Sequence, residues 1–233
     1  MHLTHLGHSC VLVDVAGERL LIDPGGFSDV EGVRDLSAIL VTHMHPDHLN
    51  PPAIPALRRD NPNAQLWLES EATDRLVSSE PQLKNHVSRM AIGRALEFGP
   101  VTVTPVGRQH ALIHEYAPRP DNIGLVISAD GEPSIFHPGD ALDADDPTLT
   151  DLDVLCVPIN APWAKVADTV AFVRRLAPRL VVPIHDGLLN DAGRKMYLGH
   201  IESFGAEGGG DVLDLKGEGA VEVSGCSSSA GEG

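Results

Sequence analysis

Thr42-His43-Met44-His45-Pro46-Asp47-His48 sets three imidazoles and a carboxylate within the six residues from His43 to His48. The apolar run before it, 38–41, has the β-branched bias of a buried strand. Pro51-Pro52 after it suits the first turn of a helix running to about Arg59. The cluster therefore sits at a strand end. There His43 and His45 can point the same way, because side chains of extended chain alternate with a period of two. Asp47 and His48 fall where the chain turns and can face a neighbouring point, so one segment could serve two metals. Imidazole with carboxylate suits Zn, Mn or Fe, and no thiolate asks for a softer ion. The competing reading is a histidine-rich loop that binds nothing. Four ligand groups in six residues at a strand end weigh against it.

Working outward, short strands and helices alternate. Runs 10–15 and 19–22, separated by Ala16-Gly17-Glu18, read as a hairpin that Asp23-Pro24-Gly25-Gly26 stops. Run 65–68 resembles a strand, and 70–78 a helix with Ser70 at its N-cap. Val101-Thr102-Val103-Thr104 alternates as a strand. Runs 123–129 and 134–136 flank Asp130-Gly131, a hairpin turn. Runs 154–159 and 180–184 are buried strands, and 166–176 is an amphipathic helix with apolar residues at 166, 170, 173 and 176. The order implies an α/β or α+β protein. We expect one domain over residues 1–223 and a flexible Gly/Ser-rich tail over 224–233.

The 233 residues are 42% hydrophobic and 21% charged, as in an ordinary soluble chain. The formal net charge of −16 argues against nucleic acid as a partner, and 4% aromatics argue against a base-stacking surface. No apolar run is long enough to span a bilayer, and no secretory leader is visible, so a cytoplasmic location is expected. Cys10, Cys156 and Cys226 are an odd count without metal-site spacing. Cys10 and Cys156, in strand-like runs, read as buried thiols.

The segment His43-Met44-His45-Pro46-Asp47-His48 resembles the HxHxDH motif of the metallo-β-lactamase superfamily. Leu21-Ile22-Asp23-Pro24, Gly107-Arg108-Gln109-His110, His137-Pro138-Gly139-Asp140 and Val182-Pro183-Ile184-His185 resemble its later motifs, in the expected order over residues 1–187. His5-Leu6-Gly7-His8-Ser9 resembles a bacterial branch of small metal-dependent hydrolases related to ascorbate-6-phosphate lactonase. The resemblance implies a four-layer αββα sandwich with metals at one edge of two facing sheets. It implies one metal on His43, His45 and His110, a second on Asp47, His48 and His185, and Asp140 bridging both. Asp23 would stand behind the ligands and orient one of them; turn initiation before Pro24 accounts for it equally well.

The implied activity is hydrolysis of a small ester, lactone or phosphodiester by a hydroxide that bridges the metals and that Asp47 orients. Two divalent ions, two carboxylates and a hydroxide leave the centre roughly one unit positive, which would draw an anionic substrate. His8, Arg108, His114 and Trp163 are the candidates for substrate contact. A structural histidine, solvated charges and helix-start packing are the bland accounts of them. Zn is expected foremost, with Mn or Fe compatible, a small molecule as partner, and homo-oligomerisation left open. Three other functions compete. A nuclease of the superfamily would need a basic arm or an inserted cap. An iron-dependent oxidoreductase of the di-iron branch tends to carry Glu where His45 stands. A non-catalytic binding module would not need all seven ligand positions intact.

Overall fold

The computed structural model describes residues 1–225. Most of the expected tail, with Cys226, lies outside the described residues. The first half of the chain holds β1 (His2–His5), β2 (Val11–Val15), β3 (Glu18–Ile22), β4 (Ala38–Val41), α1 (Ile54–Asp60), β5 (Gln65–Leu68), α2 (Ser70–Ser79) and β6 (Val87–Arg89). The second half holds β7 (Leu96–Phe98), β8 (Val101–Val106), β9 (Gly124–Ser128), β10 (Ile135–His137), β11 (Val154–Pro158), α3 (Val166–Leu176), β12 (Leu180–Ile184), α4 (Asp191–Phe204) and β13 (Val221–Glu222). One sheet runs β13-β1-β2-β3-β4-β5-β6, and the other β12-β11-β10-β9-β8-β7.

The period-two alternation of each strand builds the layers. Val11, Val13, Leu20, Ile22, Ala38 and Leu40 point inward and meet Val101, Val103, Leu125, Ile127, Cys156 and Val182 of the facing sheet. Leu12, Leu21, Ile39 and Val41, between them in sequence, point outward against Ile54, Leu57, Ala72 and Leu76 of α1 and α2. Val126, Phe136, Leu155 and Val157 do the same on the other side against Phe172, Val173, Leu198 and Ile201 of α3 and α4. Helix, sheet, sheet and helix are thus stacked around three apolar layers, the four-layer sandwich expected. Burying each such side chain contributes about 1.5–3 kcal/mol. Cys10 and Cys156 are free and buried, and burial pushes both thiols up, out of the reactive range.

Strand direction positions the site. β1 and β3 both pair antiparallel with β2, and β4 runs parallel to β3. β8 and β10 both pair antiparallel with β9, and β11 and β12 run parallel to β10. Every strand that leads into a candidate residue therefore ends at the same edge of its sheet. Two readings change. The N-cap of α2 is Glu69, not Ser70: its carboxylate accepts the backbone N–H groups of Glu71 and Ala72 at 2.9 and 3.0 Å. The helix α4 has no counterpart in the sequence reading, because only Arg194, Leu198 and Ile201 of its residues are buried. Among the described residues no helix is long and apolar enough to cross a membrane.

Candidate metal centre

Five loops at the shared edge converge. Asp23 follows β3, residues 42–48 follow β4, Asp140 follows β10 and His185 follows β12 directly. His110 stands four residues beyond β8, and its loop is tied in by the Ala111 N–H to Asp140 O bond of 2.7 Å. The Asp23-Pro24-Gly25-Gly26 turn lies against the histidine loop so closely that a Cβ on Gly25 would fall 1.8 Å from Asp47 O. Gly139 has φ +60°, and a Cβ there would strike the Asn122 and Thr42 side chains. His8, Asp23 and His185 also adopt left-handed φ, at 55°, 49° and 61°.

Two groups of donors result. His43, His45, His110 and Asp140 each offer one atom within 4.8 Å of the others, and so do His8, Asp47, His48 and His185. Asp140 faces both groups. Its Oδ2 lies 3.3 Å from His110 Nε2 and 3.2 Å from His185 Nε2, and its Oδ1 lies 3.0 Å from His48 Nε2. His43 Nε2 and His45 Nδ1 are 3.1 Å apart, and His185 Nε2 is 3.4 Å from Asp47 Oδ2. Ligand atoms about 2.0–2.1 Å from one tetrahedral zinc stand roughly 3.3 Å from each other, so these spacings suit a cation between them.

The far nitrogens say which way the lone pairs point. His48 Nδ1–H donates to Asp23 Oδ2 at 2.6 Å. His110 Nδ1–H donates to Ala111 O, and His185 Nδ1–H to Asn160 O, each at 2.6 Å. The single Thr42 hydroxyl proton goes to Asp23 Oδ2 at 2.7 Å, so its oxygen accepts from His43 Nδ1–H at 3.1 Å. In the neutral form, each Nε2 of these four rings is therefore a lone pair aimed inward. His110 Nε2, His185 Nε2 and Asp140 Oδ1 are buried without any hydrogen-bond partner. Three orphaned acceptors at one point are what a metal ion satisfies.

Electrostatics divide the rings: against burial, Asp140 and Asp23 raise His48 well above the ordinary histidine range and Asp140 raises His185 to about 9, so these two rings ligate where a cation displaces their proton. Burial, and then the neighbouring imidazoles His48 and His110, push His43 and His45 respectively below the ordinary histidine range, into the neutral form that ligates. Burial alone would raise Asp140, but His48 and His185 hold it well below the carboxylate range. Asp47 is likewise held down by His185 and His8 against burial.

Of the other candidate residues, Asp23 is fully buried, with both oxygens on Thr42 and His48. Trp163 is at the centre: its Nε1–H donates to Asp140 Oδ2 at 3.1 Å, and its ring stands edge-on to His110 and His185. Arg108 is exposed and lines a separate cavity with Ser70, Met90, Ile92, Asp121 and Ile123. His114 is exposed and accepts the Tyr116 N–H at 3.2 Å, outside both donor groups. Sequence reasoning missed Thr42, Asn122 and Asn160. Asn122 joins the loops by accepting Asp140 N–H and donating to Pro138 O. Nothing in its local sequence marks it, since its partners lie 16 and 18 residues on.

A family model described as a beta-lactamase superfamily domain matches residues 2–185. The chain belongs to that superfamily. The family expected from the histidine motif stands. Protein Rv0786c of Mycobacterium tuberculosis is 40% identical over 203 residues, covering 86% of this chain and 91% of that protein. A UPF0173 metal-dependent hydrolase of Methylobacterium nodulans is 28% identical over 212 residues, covering 80% and 85%. Among solved structures, an isothiocyanate hydrolase from Delia radicum gut bacteria superposes with a TM-score of 0.69 at 19% identity, covering 97% of this chain and all of that one. A likeness at that identity speaks for the fold.

Proposed function

We propose that the chain is a hydrolase holding two divalent ions, zinc foremost, and cleaving a small ester or lactone with an apolar acyl part. The observation that carries this reading is the pair of inward-facing donor groups that share Asp140, with three buried acceptors lacking a protein partner. His43, His45, His110 and Asp140 would hold one ion, and Asp47, His48, His185 and Asp140 the other. Ions held there supply Lewis acidity toward a carbonyl oxygen and lower the pKa of water. Relatives named as metal-dependent hydrolases support the reaction class.

The chain's own residues supply orientation. Asp47 is the candidate carboxylate that reaches solvent, with its side chain 23% exposed, and it can accept a hydrogen bond from an attacking water and so orient it. Trp163 holds Asp140 through its indole N–H and closes one side of the site. The cations that would bind an anion are engaged elsewhere: Arg108 lines its separate cavity, and Arg119 is bound to His110 O and Asp143. Among the exposed apolar side chains, Phe27 (52%) lies beside the site, edge-on to His8, while Leu112 (57%) and Leu188 (60%) are two and three residues from ligands in sequence. This favours a neutral substrate over an anionic one.

The test is metal content per chain on untagged protein purified without chelator, followed by turnover of nitrophenyl esters of increasing acyl length, lactones and a phosphodiester. An isothiocyanate, named for one structural neighbour, belongs in the same panel. About two equivalents of zinc, with ester or lactone turnover abolished by chelation, is the expected result. Metal that stays absent after reconstitution would overturn the reading, and mostly iron would move it to oxidative chemistry.

A further inference from the structure

The histidines around the centre divide by what their outer nitrogen meets. His43, His48, His110 and His185 each meet an acceptor there, so in the neutral ring their inner nitrogen is the lone pair that can ligate. His8 is wired the other way. The backbone N–H of Gly187 points at His8 Nδ1 from 3.1 Å, so Nδ1 must accept. In a neutral ring the proton then sits on Nε2. That atom faces Asp47 Oδ2 at 3.0 Å, and an ionised carboxylate only accepts. Proximity alone would group His8 with the donors on Asp47, His48 and His185. The hydrogen-bond directions separate it from them.

We propose that His8 is a positioning residue: it donates Nε2–H to Asp47 Oδ2, fixes that carboxylate toward the centre, and does not itself ligate metal. This rests on the metal-centre reading above and gives it a residue that the ligand set does not contain. The surroundings are built for this bond. His8 O accepts the backbone N–H of His185 at 2.8 Å and meets the His5 ring at 2.8 Å, so the left-handed backbone of His8 is pinned. Gly7 is required before it, since a Cβ there would lie 2.8 Å from Phe27 O. Gly187 is required beside it, since a Cβ there would press on His8 Nδ1 at 3.0 Å. The His185 ring stacks at 3.9 Å and Phe27 closes the other side at 5.2 Å, leaving the imidazole one orientation. The Asp47 side chain, by contrast, is only half-buried, and His8 is the fixed donor that reaches it.

The first test is a long-range proton–nitrogen correlation spectrum of the full chain labelled in its histidine nitrogens, recorded without metal and loaded with zinc. His8 should read as the Nε2–H tautomer in both states, while His43, His48, His110 and His185 acquire zinc-bound shifts at Nε2. A zinc-dependent shift at His8 Nε2, or an Nδ1–H tautomer, would overturn the proposal. If zinc moved no histidine, the metal-centre reading would fall, and the metal-free tautomer would still decide the His8–Asp47 bond. The second test is zinc affinity by chelator competition in two variants. His8→Ala should weaken one of two ions about 10–100-fold. His8→Gln, whose amide donates but offers no nitrogen lone pair to a metal, should recover most of that loss. Equal loss in both variants would overturn the positioning role.

Discussion

Asp140 is the residue whose loss should be felt most widely, because it faces both donor groups and also receives the Trp163 N–H. Asp140→Ala is expected to lose metal and hydrolytic activity together. Metal analysis of the purified variant checks it, and full occupancy with full activity would remove Asp140 from the shared position. Asp23 makes a subtler prediction. All the hydrogen bonds of its carboxylate come from donors: Thr42 N–H, Thr42 Oγ–H and His48 Nδ1–H. Asp23→Asn turns one acceptor into a donor facing donors, which should release the His48 ring. Metal affinity is expected to fall about 10–100-fold with the ligands untouched, read by chelator competition. The two aspartates also differ in how legible they were. Asp140 was legible through the resemblance of His137-Pro138-Gly139-Asp140 to a family motif. Asp23 sits before Pro24, where turn chemistry explains it equally well, and only the contact with Thr42 and His48 separates the accounts.

At the scale of elements, the loops are held by close approach. Gly25→Ala would drive a methyl into the Asp47 carbonyl, so the turn after β3 and the histidine loop must part. The expected result is a loss of at least 2–3 kcal/mol, as for overpacking, together with weakened metal binding; thermal melts and metal analysis check both. The helix α4 offers a pH prediction. Its buried Arg194 grips Asp186, the neighbour of His185, and Asp214. Burial works against the Asp214 carboxylate, but Arg194 outweighs it and holds the group below its ordinary value of 3.8. A lowered folded pKa gives stability that is present above the unfolded value and lost as pH falls through the folded one. Asp214→Asn should therefore be less stable than the parent at neutral pH, with the difference shrinking below about pH 4; melts across that range decide it. This network also explains why α4 was not readable. A helix that buries an arginine and a few apolar residues lacks the apolar stripe that made α3 plain. The inner strands were legible for the opposite reason, facing an apolar layer on both sides or alternating cleanly, whereas the short edge strands β6 and β13 do neither and were not read.

For the whole molecule, removing metal is the broadest test. A ligand present at about 100 times its dissociation constant adds about 2.7 kcal/mol to stability. For a chain of this size that is roughly 5–10 °C in melting temperature. Chelation should lower the melt by that order, and no change would argue that nothing binds. The alternation of strands and helices revealed an α/β or α+β class, and the family resemblance of the ordered motifs supplied the four-layer architecture. Substrate choice was not legible. Arg108 lies two residues from His110 in sequence, yet its exposed side chain lines a separate cavity. Sequence distance does not say on which side of a strand end a flexible cation falls.

The left-handed backbone at His8, Asp23 and His185 has a further consequence. Non-glycine residues occupy that region at a cost of order 1–3 kcal/mol each, and asparagine or glycine adopt it more readily. Selection for heat resistance and selection for turnover would thus pull this sequence in opposite directions. In a library screened for thermal survival alone, without metal, these three positions should be among the early ones to drift, and the survivors should be catalytically silent.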